Sequence, residues 1–193
     1  PSVSLVTCSY ETAAHLVCQL PEQLGAVISV VNEGEQLANV AVERGIPALA
    51  LDVDDITSPS LVSKWTKPFT LEHAQRLQEF VLANVTDTTK TTLVHCSAGV
   101  SRSTAATASV LAVLGATPEE AIAGAAQAFV RSFTEFSDVS YGRTFSPNAR
   151  ILATVSYLVY GDARLLVAYF DYRNATGKAI LAQDRVWLEQ APC

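Results

Sequence analysis

Methionine is absent from this 193-residue chain, and histidine, tryptophan and cysteine are scarce, with three, two and four copies. The missing methionine implies an initiator that was lost or processed away. The cysteines stand at 8, 18, 96 and 193, with no two at metal-ligand spacing, so no metal site is expected. His15 and His73 fall on expected helices with no second ligand at a matching step, which suits helix-face or capping roles. No stretch reaches the roughly 20 apolar residues of a membrane span, and the beginning lacks a signal-peptide layout. Basic residues are outnumbered, 13 Lys and Arg against 19 Asp and Glu, for a formal net charge of −6. That balance excludes a general nucleic-acid or anionic-membrane binder. Internal repeats, low-complexity segments and linkers are missing too, so residues 1–193 read as one domain with a helical C-terminal half.

What is present alternates. Val3 to Thr7, Ala26 to Val31, Ile46 to Val53 and Thr91 to His95 are short runs of strand type. Between them a helix is expected over Glu11 to Leu20, ending before Pro21, and Phe69 to Asn84 carries apolar residues at three- and four-residue steps behind a Thr70 N-cap. Helices are then expected over Ser103–Leu114, from Thr117 to about Val130, from Ser146-Pro147-Asn148 to Tyr160, and over Leu165–Tyr172. Residues 131–146 read as a surface loop. The alternation predicts an α/β fold, a mostly parallel central sheet flanked by helices, with ligands beyond the carboxyl ends of the strands.

Cys96 sits at such an end. It is followed by Ser97, Ala98, Gly99, Val100 and Ser101, then Arg102, Ser103 and an alanine-rich helix. A loop of this length entering a helix can turn its N–H groups inward as an anion cradle, and the positive end of the helix suits a thiolate nucleophile. Arg102 adds a planar fork of donors matched to two phosphate oxygens. Cradle, thiolate and fork describe a site that attacks phosphorus.

The run His95-Cys96-Ser97-Ala98-Gly99-Val100-Ser101-Arg102-Ser103 resembles the H-C-x5-R-S/T signature loop of the cysteine-dependent protein tyrosine phosphatase superfamily, nearest its dual-specificity and small bacterial branches. The resemblance implies a protein tyrosine phosphatase-like fold and a phosphoric monoester hydrolase without a cofactor. By the same resemblance Cys96 is the nucleophile, residues 97–102 bind the phosphoryl oxygens, Ser103 assists sulfur as leaving group, and His95 supports the loop. It also implies a general acid on a loop after the third strand, where Asp55 fits best and Asp54 is the alternative, beside Asp52. The absence of Lys and Arg within the loop favours a phosphoprotein over a phosphoinositide. Phosphotyrosine alone and phosphotyrosine with phosphoserine or phosphothreonine both remain open, as does the oligomeric state.

Other residues carry weaker expectations. Arg131 and Arg143 are candidates for a peptide or second-phosphate contact, and Tyr141 or Phe145 for a pocket wall, each against a plain surface role. Trp65 and Trp187 read as packing residues, and Cys8 and Cys18 as buried thiols, with Cys8 the one candidate disulfide partner for Cys96. A reducing, cytoplasmic compartment suits a thiol nucleophile. Three classes stay in view: a phosphomonoesterase, a sulfurtransferase or arsenate-reductase type, and a phosphate-recognising pseudophosphatase module.

Overall fold

The computed structural model describes residues 3–136, 138 and 144–189. Four strands form one sheet in the order β1-β4-β2-β3, all parallel: β1 (Ser4–Cys8), β2 (Leu24–Val31), β3 (Ala48–Asp52) and β4 (Thr91–His95). The strands are largely apolar, β1, β2 and β4 being rich in β-branched residues and β3 built on Ala and Leu, and alternate residues go to opposite faces. Val6, Cys8, Val27 and Leu93 pack under α1 (Tyr10–Gln19) and α2 (Leu37–Glu43). Leu5, Ile28, Val30, Leu51 and Val94 pack on the other face, in a larger core with the helices that follow β3.

Those helices are α3 (Leu71–Asn84), α4 (Arg102–Val113), α5 (Pro118–Phe136), α6 (Ala149–Tyr160), α7 (Arg164–Ala175) and α8 (Ala182–Glu189). Among the described residues no helix is long and apolar enough to cross a membrane. The central helix α4 is buried from Arg102 through Ala112. Its small residues let α5 and α6 approach closely, and two of its buried hydroxyls bond back along the helix: Thr107 Oγ1 donates to Ser103 O and Ser109 Oγ to Ala105 O.

The expected fold class and the four strands are present, with three adjustments. α5 continues to Phe136, through residues that read as loop, because Ser132 is buried and Phe133 stacks edge-on against Phe129 at 4.8 Å. α2 and α8 were not anticipated; both are short, and α2 has no side-chain cap to announce it. The strand after α2 is also trimmed to Ala48–Asp52.

Because all four strands run the same way, their carboxyl ends line one edge. Ser9, Asn32, Val53 and Cys96 each follow a strand there, and that edge is where α4 begins.

Candidate active site

The loop from Cys96 to Ser101 rises from β4 and turns back into α4. Gly99 makes the turn at φ +75°, a left-handed conformation that only glycine adopts without cost. Space demands glycine as well: a Cβ there would lie 2.5 Å from Ser9 N and 2.6 Å from the Cys8 carbonyl carbon. The loop therefore rests on the β1–α1 junction, where Tyr10 N also donates to Ser97 O. From that seat the Gly99 N–H donates to Cys96 Sγ at 3.3 Å, and Ser103 Oγ lies 3.2 Å from the same sulfur. Cys96 is 2% exposed.

Arg102 opens α4 and is 5% exposed. Its Nη1 donates to Asn32 Oδ1 and to Val53 O, both at 2.9 Å, and its Nη2 donates to Ser97 Oγ at 3.0 Å. The remaining nitrogen, Nε, is buried and has no hydrogen-bond partner among the described residues. A buried N–H left unpaired in this way is costly, and an arriving oxyanion removes the cost.

The two aspartates divide the work after β3. Asp54 closes the neck of an excursion: its backbone N donates to Lys67 O, while its carboxylate accepts from Lys67 N at 2.8 Å and from Asn32 Nδ2 at 2.5 Å. Asp55 is exposed and leans on the cradle instead. Its Oδ1 accepts from Ser101 Oγ and from Asn148 Nδ2, each at 2.8 Å. Asp52 is engaged elsewhere, in an ion pair with Lys67.

Sequence reasoning missed the residues that hold these groups in place. Asn32 bridges Arg102 and Asp54. Asn148 joins Asp55 to the N-terminus of α6, accepting from Ile151 N and donating its own N–H to Ser101 O. Asp138 is buried and accepts from Ser9 N, Ser9 Oγ and Thr12 Oγ1, capping α1 beneath the loop. Ser29 Oγ lies 2.6 Å from His95 Nε2, tying the end of β4 to β2. The available signal for Asn32 and Asn148 was position alone, a strand end and a helix cap.

In motif and topology the chain resembles the cysteine-dependent protein tyrosine phosphatase superfamily. No family model and no curated protein matches the sequence. Among solved structures it is similar to PTPMT1 in complex with PI(5)P, at 21% identity, covering 90% of this chain and 93% of that one, with a TM-score of 0.47. It is similar to Tk-PTP in the active form at 16% identity, 73% and 85% coverage and a TM-score of 0.46. For P. aeruginosa TpbA the figures are 16%, 86% and 86%, and 0.38.

Several residues singled out from sequence lie elsewhere. Arg131 is on α5, paired with Glu135 and donating to Ser4 Oγ at the far end of β1, so it does not reach the cradle. Phe145 is buried among Phe129, Tyr169 and Tyr172 and walls the core, not a pocket. Arg143, Tyr141 and Cys193 fall outside the described residues. Trp187 packs as expected, but Trp65 is 82% exposed, with Lys64 Nζ 4.7 Å from its ring centre. Cys18 is exposed, while Cys8 is buried and its thiol pKa is pushed up, chiefly by burial and then by the charges of Asp138 and Cys96. His73 caps α3, its Nδ1 accepting from Thr70 N at 3.2 Å.

Proposed function

We propose that this chain is a cysteine-dependent protein phosphatase that hydrolyses phosphotyrosine, with phosphoserine and phosphothreonine as further substrates, through a phosphocysteine intermediate. The observation that carries this reading is the single loop that supports every working part. Cys96 Sγ sits against the Gly99 N–H, Arg102 keeps a buried donor unfilled, and Asp55 is bonded to Ser101 of the same loop.

The chemistry follows from those positions. Cys96 Sγ attacks phosphorus and the ester P–O bond breaks, which splits one displacement into two easier ones. Arg102 Nε and Nη2 and the loop amides from Ser97 to Arg102 take the equatorial oxygens; Ser97, Ala98, Gly99, Val100 and Ser101 supply that cradle. Asp55 protonates the departing oxygen. Both of its bonds fall on Oδ1, so Oδ2 is the oxygen that carries the proton. Water then displaces sulfur with Asp55 as base, and the Ser103 hydroxyl donates to the departing thiolate. Asp54, committed to the Lys67 neck, is the weaker candidate for the acid. A thiol nucleophile fits a reducing compartment such as the cytoplasm.

Hydrolysis of an aryl phosphate across pH 5 to 8 tests the assignment. Cys96→Ser abolishes turnover, and Arg102→Ala lowers kcat/KM by about 10²–10³-fold, as removal of an oxyanion donor does. Asp55→Asn lowers kcat by about 10²-fold and removes the dependence on a protonated acid, whereas Asp54→Asn leaves that limb in place. Well-folded protein with no turnover identifies a phosphate-recognising module instead, and turnover of lipid or sugar phosphates alone identifies a non-protein phosphomonoesterase.

A further inference from the structure

Negative charge surrounds the cradle. Between Cys96 and Arg102 there is no Lys or Arg, and both loop hydroxyls are bonded to carboxylates: Ser101 to Asp55, and Ser97 Oγ to Glu35 Oε1 at 3.3 Å. Lys67, at the same edge, is already paired with Asp52 and Glu33. Asp54 stands one residue behind Arg102, through Asn32.

Glu35 differs from these other acids. Asp54, Asp52 and Glu33 hold donors of this chain, and Asp55 has the proton-donor role. Glu35 Oε1 takes the Ser97 hydroxyl, but Oε2 is buried with no hydrogen-bond partner among the described residues. A desolvated carboxylate oxygen without a donor is unfavourable by itself and becomes favourable when a cation or N–H reaches it. The opposite vacancy lies two bonds away in the same network. Arg102 Nη2 donates to Ser97 Oγ, Ser97 Oγ donates to Glu35, and Arg102 Nε is buried without an acceptor. One unfilled donor and one unfilled acceptor thus flank Ser97, and a phosphoryl oxygen answers only the donor. The acceptor calls for a positive group carried beside the phosphate.

We infer that Glu35 is a specificity-determining residue of this site, selecting phosphoproteins that carry Lys or Arg next to the phosphorylated residue. The inference rests on the phosphatase reading above and names its substrate class. Polyanionic substrates are disfavoured by the same charges, since a second phosphate meets carboxylates where it needs cations. The net charge of −6 adds attraction for basic segments at low ionic strength.

The test uses two phosphotyrosyl peptides that differ only in flanking residues, two lysines or two glutamates, with p-nitrophenyl phosphate, which has no flanking residues, as the reference. Wild type is expected to favour the basic peptide by about tenfold in kcat/KM at low salt, with the ratio shrinking as salt rises. Glu35→Gln lowers the ratio about fivefold, Glu35→Asp retains most of it, and Glu35→Lys inverts it. Each ratio is taken within one variant, so a general loss of activity does not enter. A variant that fails to fold leaves the wild-type ratio and its salt dependence as the deciding measurement. Turnover of p-nitrophenyl phosphate with a flat peptide ratio, or with a ratio indifferent to Glu35→Gln and Glu35→Lys, overturns the inference and spares the phosphatase reading. Faster turnover of phosphoinositide vesicles than of the basic peptide overturns it too. No turnover of any of these substrates removes both.

Discussion

His95 ends β4 with its ring sealed from solvent and Nε2 against Ser29 Oγ. Burial lowers its pKa from the usual 6.5 to about 4, and the positive charge of Arg102 pushes the same way. The imidazole is therefore neutral in the folded protein, and protonating it opposes folding. The stability this contributes is complete above about pH 6.5 and is lost as pH falls from there towards 4, up to about 3 kcal/mol from the shift. Denaturant titrations at pH 7 and pH 4.5 on wild type and His95→Asn check this. The variant is less stable at pH 7 but loses less between the two pH values; equal losses would show that His95 does not supply the pH slope. The same residue defines what the signature motif can say. His95, Cys96, Arg102 and Ser103 were readable because they are contiguous and the chain itself brings them together. Asn32, Glu35 and Asn148 were not, because they meet Arg102, Ser97 and Asp55 across 70, 62 and 93 residues of sequence.

At the scale of elements, the phosphate loop is a tenant of the β1–α1 junction. Gly99 has no room for a side chain against Ser9 N and the Cys8 carbonyl carbon, both backbone atoms that cannot rotate away. Gly99→Ala is expected to cost about 2–4 kcal/mol, combining steric overlap with a strained positive φ, and to unseat the N–H that faces Cys96. Thermal or denaturant midpoints together with aryl phosphate turnover measure both effects. A variant of wild-type stability and activity would show that the loop does not depend on that seat. The strands and most helices were legible because strand type and helical period are local properties, as in α3 with its Thr70 cap and α6 with its Gly161 stop at φ +80°. The end of α5 was not, since Ser132 and Phe133 continue the helix through contacts made with the rest of the fold. Trp65 shows the converse: an aromatic type that suits a core, held out in solvent by an excursion whose course no periodicity encodes.

Across the molecule, the C-terminal helix reaches back to the aspartate loop. Trp187 on α8 is buried, lies under the Arg150 guanidinium at 4.9 Å, and donates from Nε1 to Thr57 O at 3.3 Å. Thr57 is two residues beyond Asp55, so the last described helix braces the segment that carries Asp55, the proton donor we propose. Trp187→Ala is expected to lower stability by about 3 kcal/mol and to reduce kcat, whereas Trp187→Phe keeps the packing and loses about 1 kcal/mol with the hydrogen bond. Denaturation curves and steady-state kinetics on both variants distinguish the two. An Ala variant with unchanged kcat would mean that α8 steadies the core without steadying the acid.

Asn148 fixes Asp55 to Ser101, and Asp54 pinches the chain shut against Lys67, so the exposed stretch from Ser60 to Trp65 hangs beyond two fastened points. Its length and composition are thereby uncoupled from the distance between Asp55 and Cys96. Lengthening a surface loop is thermodynamically mild. Descendants of this sequence are free to rewrite that stretch, residue by residue, while Asp55 and the Cys96 loop stay in register.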